Sequence, residues 1–142
     1  VHLSGGLNML EELAEMKKKT KIIGVSMLTN LDNHDLKRMG FSCGHKKFVE
    51  NLVKIGVKAG VDGIVSSPKE IKYLKSKYKS LIFVTPGIRL PKNKKNDQKR
   101  IESPRFAIKA GSNILVIGRP ITKSKDPVNA IQEIVKNIEY GK

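Results

Sequence analysis

The chain has one cysteine, Cys43, no tryptophan, and 13 acidic residues against 28 lysines and arginines. A single cysteine excludes an internal disulfide and any metal cluster built on cysteine pairs. Four Phe and three Tyr do not interleave with the basic runs as a nucleic-acid stacking platform requires. No apolar run approaches the roughly 18 residues that a membrane-spanning helix needs. No basic-then-apolar-then-small leader is visible, so a reducing, cytoplasmic setting without membrane attachment is expected.

The scarcity of acid leaves a net charge of +15. Taken alone, such a charge points to nucleic acid or an anionic surface. The lysines, however, are scattered over predicted helix faces (Lys17 to Lys19, Lys46, Lys47, Lys54, Lys58), and no helix-turn-helix or zinc-finger spacing occurs. Solvated lysine-rich faces and no nucleic-acid partner are the expectation. His34, His45 and Cys43 with Asp32 and Asp35 match no zinc spacing.

What is present is a repeating order of short apolar strands and amphipathic helices. Val1 to Leu3 reads as the tail of a strand, and Leu7 to Lys18 as a helix with Leu7, Leu10, Leu13 or Ala14, and Met16 near helical spacing. Ile22 to Leu28 is a run suited to a strand buried on both faces. A short polar helix between Leu31 and Gly40 follows. The helix Lys46 to Ala59 carries a stripe of Phe48, Leu52, Ile55 and Ala59.

Val61 to Val65 is the next predicted strand. Ser67-Pro-Lys-Glu70 then combines a cap serine, a proline at the first helical position and a glutamate three after the cap. Ile71, Leu74 and Tyr78 supply that helix's buried side. Leu81 to Val84 and Asn113 to Ile117 are two further strands. Ser103-Pro104 starts a helix ending at Gly111, and Asp126-Pro127 starts the last one. Its predicted stripe is Val128, Ile131, Ile134 or Val135, and Ile138.

Five strand–helix units of this kind predict a parallel sheet with right-handed crossovers in a single domain, 1–142. The functional turns all follow strand ends, as in a (β/α)8 TIM barrel. Such a barrel has eight units and typically about 250 residues. The fold class expected is therefore α/β, a partial TIM barrel with about five of eight units.

Two strand exits carry the sharpest chemistry. Val84-Thr-Pro-Gly-Ile-Arg89 leaves one strand through a Pro-Gly turn, and Ile117-Gly-Arg-Pro-Ile-Thr122 leaves another through Gly-Arg-Pro. Glycine lets backbone N–H groups approach phosphate oxygens, and guanidinium supplies a bidentate fork. The plainer alternative is that both arginines are surface residues and the Pro-Gly pairs only make turns.

These motifs, with Asp97-Gln-Lys-Arg100, Val1-His-Leu-Ser-Gly-Gly6, Met27-Leu-Thr29 and Ala59-Gly-Val-Asp-Gly-Ile-Val-Ser-Ser67 in the same order, resemble the orotidine 5′-phosphate decarboxylase family. The resemblance covers nearly the whole chain, and this stretch corresponds to the family's fourth to eighth units. It implies conversion of orotidine monophosphate to uridine monophosphate and carbon dioxide, without metal or cofactor, by a homodimer. It implies that Arg89, Gln98, Gly118 and Arg119 grip the phosphate and nucleotide, and that Thr29 contacts the substrate. Thr29 as a cap of the following short helix is the simpler alternative. Leu90 to Asp97 would form a lid, in which Lys92 and Asn96 stand where the family usually has glycine; Asn30 replaces a usual serine.

The family's catalytic lysine and aspartates lie on its first three strands, as Asp-x-Lys-x-x-Asp on the third. Asp35-Leu-Lys37 does not extend to that pattern, because position 40 is glycine, so no catalytic residue is assigned in this chain. Three rival functions remain at this point. They are a phospholigand-binding half barrel without turnover, a related barrel enzyme acting on a sugar phosphate, and a basic nucleic-acid binder.

Overall fold

The computed structural model describes residues 1–90 and 102–139. Four strands, β1 (Ile23–Val25), β2 (Gly63–Val65), β3 (Ile82–Thr85) and β4 (Ile114–Leu115), form one parallel sheet in the order β1-β2-β3-β4. The register sets Val25 beside Val65, Val65 beside Val84, and Thr85 beside Leu115. Sequential order and parallel pairing are what strand–helix repeats with crossovers of one hand produce.

The expected first strand is reduced to one bridge. His2 pairs with Val25 in parallel, and Val25 N–H donates to the Val1 carbonyl at 2.7 Å. Leu3–Gly5 then turn into a single 3₁₀ turn. Two residues of strand before a Gly-Gly pair are too few to hold a ladder.

Among the described residues the α-helices are α1 (Leu7–Met16), α2 (Asn33–Arg38), α3 (His45–Lys58), α4 (Pro68–Lys77), α5 (Pro104–Ala110), α6 (Arg119–Thr122) and α7 (Pro127–Glu139). Their starts follow the capping residues. Ser103 Oγ accepts from the Phe106 amide at 3.1 Å, and Asp126 Oδ1 from the Asn129 amide at 3.0 Å. α6 was not expected; it is one turn formed directly by Arg119-Pro-Ile-Thr122.

The core lies between β1–β3 and α1, α3 and α4, around Leu3, Leu10, Val53, Ile64, Leu74 and Phe83. Phe83 is fully buried, and Lys75 Nζ lies 5.2 Å from its ring centroid. Three expected stripes need correction. α3 buries the expected Leu52 and, at its cap, Ala59, together with Val49, Val53 and Gly56, while Phe48 and Ile55 are only half-buried, so the face is wider and turned toward Val49 and Val53. In α1 only Leu10 is buried, leaving Leu13 and Met16 exposed. In α7 the buried residues are Ala130 and Ile134, while Val128, Ile131 and Val135 face outward. Both exceptions are the helices at the two ends of the sheet, where the described residues provide no further layer.

Candidate functional site at the strand exits

All four strands run the same way, so their C-terminal ends open at one edge of the sheet. The ladder continues one step past the strands there. Ser26 N–H donates to Val65 O at 3.2 Å, Ser66 N–H to Val84 O at 3.1 Å, and Val116 N–H to Thr85 O at 2.8 Å. These bonds hold the four exits side by side.

After β1, Thr29 is buried in the turn closed by Leu31 N–H on Leu28 O at 3.1 Å. It does not cap α2. That role falls to Asp32, whose Oδ1 accepts from the His34 and Asp35 amides at 2.9 and 3.0 Å. Asp35 completes the capping box by accepting from the Asp32 amide. The helix-capping alternative for Thr29 is thereby overturned.

After β2, Ser66, Ser67 and Glu70 are all buried. Glu70 Oε2 accepts from Ser66 Oγ at 3.1 Å, from the Ser67 amide at 2.9 Å, and from the Ser67 hydroxyl. A buried carboxylate is tolerable only when its lone pairs are met in this way. The cluster ties the end of β2 to the first turn of α4.

After β3, Gly87 has φ +76°, a region that side chains with Cβ rarely occupy. The turn aims the chain so that Ile88 bridges Glu102 in parallel. Glu102 N–H donates to Gly87 O at 3.2 Å, and Arg89 N–H donates to Glu102 O at 3.0 Å. Lys69 Nζ, on α4, lies 3.6 Å from Glu102 Oε1. Sequence reading missed Glu102 and Lys69. Their pairing joins residues far apart in the chain, and no local signal announces it.

Arg89 is only 7% exposed, and its Nη1 donates to the Ile88 carbonyl at 2.8 Å. The expected surface-arginine alternative is therefore excluded for Arg89. After β4, Gly118 precedes α6, and a Cβ built there would meet nothing within 4 Å. Arg119 is half-buried as the first residue of α6. Thr85 and Leu115 are register partners, and each arginine follows its partner by four residues. The two arginines thus follow adjacent strands. Gln98 and the expected lid beyond Leu90, with Lys92 and Asn96, lie outside the described residues.

The remaining polar candidates have local roles. His45 Nδ1 and its backbone amide both lie within hydrogen-bond distance of Asn33 Oδ1, at 2.9 and 2.7 Å. Among the described residues, no three of His, Cys, Asp or Glu gather to hold a metal ion. None of the described helices is long and apolar enough to cross a membrane.

The opposite end of the sheet has its own polar cluster. Asp62 accepts from Lys17 Nζ and the Ile22 amide, both at 2.8 Å, and from Lys21 Nζ at 3.2 Å. The Lys17 hydrogen bond, then the Ile22 amide, hold its carboxyl well below the usual carboxylate range. That cluster joins α1, β1 and β2 away from the strand exits.

The chain is similar to proteins of known name and structure. The chain is 42% identical over 146 residues to an orotidine 5′-phosphate decarboxylase of Coxiella burnetii (strain RSA 331 / Henzerling II), covering 98% of this chain and 62% of the relative. A decarboxylase of that name from Aquifex aeolicus (strain VF5) is 41% identical over 138 residues, covering 96% and 60%. The crystal structure of orotidine 5′-phosphate decarboxylase from Lactobacillus acidophilus superposes with a TM-score of 0.78 at 29% identity, covering 97% of this chain and 61% of that one. The chain thus spans about three fifths of the length of these relatives. The family model described as orotidine 5′-phosphate decarboxylase / HUMPS matches residues 1–134, and the chain belongs to that family.

Proposed function

We propose that this chain supplies the phosphate and nucleotide grip of an orotidine 5′-phosphate decarboxylase, a carboxy-lyase that forms uridine monophosphate and carbon dioxide. The observation that carries the proposal is the pair Arg89 and Arg119, each following one of two adjacent parallel strands, beside Gly87 and Gly118. Two guanidinium groups beside backbone that side chains do not cover suit a dianionic phosphate. On this reading Thr29, buried after β1, and Gln98 join the arginines in contacting the substrate. Its relatives' names support the reaction.

The fold belongs with this reading: a domain over 1–142 forming five units of an eight-unit TIM barrel. On this reading the proton-donating lysine and its aspartates lie on the family's first three strands, and no catalytic residue is assigned within residues 1–142. The working protein is a cytoplasmic homodimer, acting on a small molecule.

Binding separates the proposal from its rivals. The protein carrying all eight units is expected to decarboxylate orotidine monophosphate and to bind uridine monophosphate in calorimetry. Replacing Arg119 by Ala is expected to weaken that binding by tenfold to a hundredfold, about 1.4–2.8 kcal/mol. Equal affinity for ribulose phosphates and uridine monophosphate would instead favour a sugar-phosphate enzyme.

A further inference from the structure

The first turn of α4, Pro68-Lys69-Glu70, is tied to two strand exits at once. Glu70 is buried and accepts from the hydroxyls of Ser66 and Ser67 and from the Ser67 amide. Those bonds fix the turn to the end of β2, an inner strand of the sheet. The neighbouring Lys69 reaches elsewhere, placing its Nζ 3.6 Å from Glu102 Oε1.

Glu102 lies against the turn that carries Arg89. β3 ends at Thr85, so its own ladder does not extend to residues 87–89. Glu102 supplies the bonds that hold them: its amide donates to Gly87 O at 3.2 Å, and its carbonyl accepts from the Arg89 amide at 3.0 Å. Arg89 Nη1 in turn donates to the Ile88 carbonyl of the same turn. A guanidinium bonded to its own turn is oriented by that turn. Whatever fixes residues 87–89 therefore fixes the fork.

We propose that Lys69 and Glu102 are positioning residues for Arg89, their ion pair anchoring the Glu102 backbone, and through it the arginine, to α4. The proposal rests on the phosphate grip described above for its ligand, but not for the link itself. The side chains of the pair are 59% and 27% exposed. A pair so open to solvent is worth up to about fivefold in an equilibrium constant. One substitution separates positioning from plain charge by its sign. Removing the negative charge of Glu102 near a bound dianion favours binding by Coulomb's law, whereas loss of the anchor weakens it.

The test is calorimetry of uridine monophosphate on the full-length protein, beside amide hydrogen exchange at Arg89 followed by NMR without ligand. Glu102→Gln and Lys69→Met are each expected to weaken binding about threefold to fivefold and to speed Arg89 exchange by a similar factor. The charge-swapped pair, Lys69→Glu with Glu102→Lys, should restore both. In an Arg89→Ala background the effect of Glu102→Gln on binding should vanish, because the two act through one group. Binding by Glu102→Gln that is unchanged or tighter would overturn the proposal. So would Arg89 exchange that does not move, or that quickens equally at the Ser66 and Val116 amides, which would mark a loosened sheet. A wild-type protein that binds no uridine monophosphate defeats the decarboxylase reading instead, and Arg89 exchange then decides the anchor by itself.

Discussion

Asp62 and Arg89 show how one position can be decided by charge and another by burial. Asp62 gathers two lysines and a backbone amide, and its carboxyl titrates well below the usual range. A carboxylate depressed in the folded state stabilises fully above its unfolded value of about 3.9 and loses that contribution as pH falls below it. Asp62→Asn is therefore expected to cost about 1–2 kcal/mol at neutral pH and to flatten the fall in stability below about pH 4. Urea midpoints from pH 7 to pH 2 would show it; parallel curves for both proteins would refute it. Arg89 is buried where its motif alone suggested an open grip. Its fork geometry is what lysine cannot reproduce. Arg89→Lys is thus expected to lose at least tenfold in uridine monophosphate affinity, measured by calorimetry, despite keeping the charge.

Among the elements, capping and turn chemistry was readable, while the faces of the helices were not. Ser67-Pro-Lys-Glu70, Ser103-Pro104 and Asp126-Pro127 each start a helix where expected, because caps are satisfied by residues three positions away. The stripe of α3 held at Leu52 and Ala59 but missed Val49 and Val53, since which side is buried depends on the sheet beneath. Gly63 makes a similar point. A Cβ there would lie 2.4 Å from the Ile82 carbonyl oxygen on the paired strand, a backbone atom with little room to move. Gly63→Ala is expected to destabilise by about 1–3 kcal/mol through overpacking, lowering the melting temperature by several degrees in a thermal scan. An unchanged melting point would mean that β2 and β3 separate more easily than their register implies.

At the scale of the whole molecule, the sheet is closed on neither side by the described residues, and its end helices expose apolar stripes. Exposed apolar surface of that kind drives association. The chain in isolation is expected to self-associate, with a sedimentation profile that shifts with concentration. A sharp monomer peak with one cooperative melting transition would show that the open ends are tolerated. The +15 charge sets a counterpoise, since like-charged surfaces repel and slow such association at low salt.

The sequence by itself determined the strand–helix alternation, the helix starts and the two Gly–Arg strand exits. Each of these is written in residues within a few positions of one another, where propensity, capping and turn geometry act. Tertiary structure alone decided that Thr85 and Leu115 stand in register, that Arg89 is buried with its amide on the Glu102 carbonyl, and that Lys69 pairs with the Glu102 side chain. It also decided that the apolar stripes of α1 and α7 face outward. Those are relations between segments distant in the chain, set by how strands pair and which faces find a neighbour, and no local pattern encodes them.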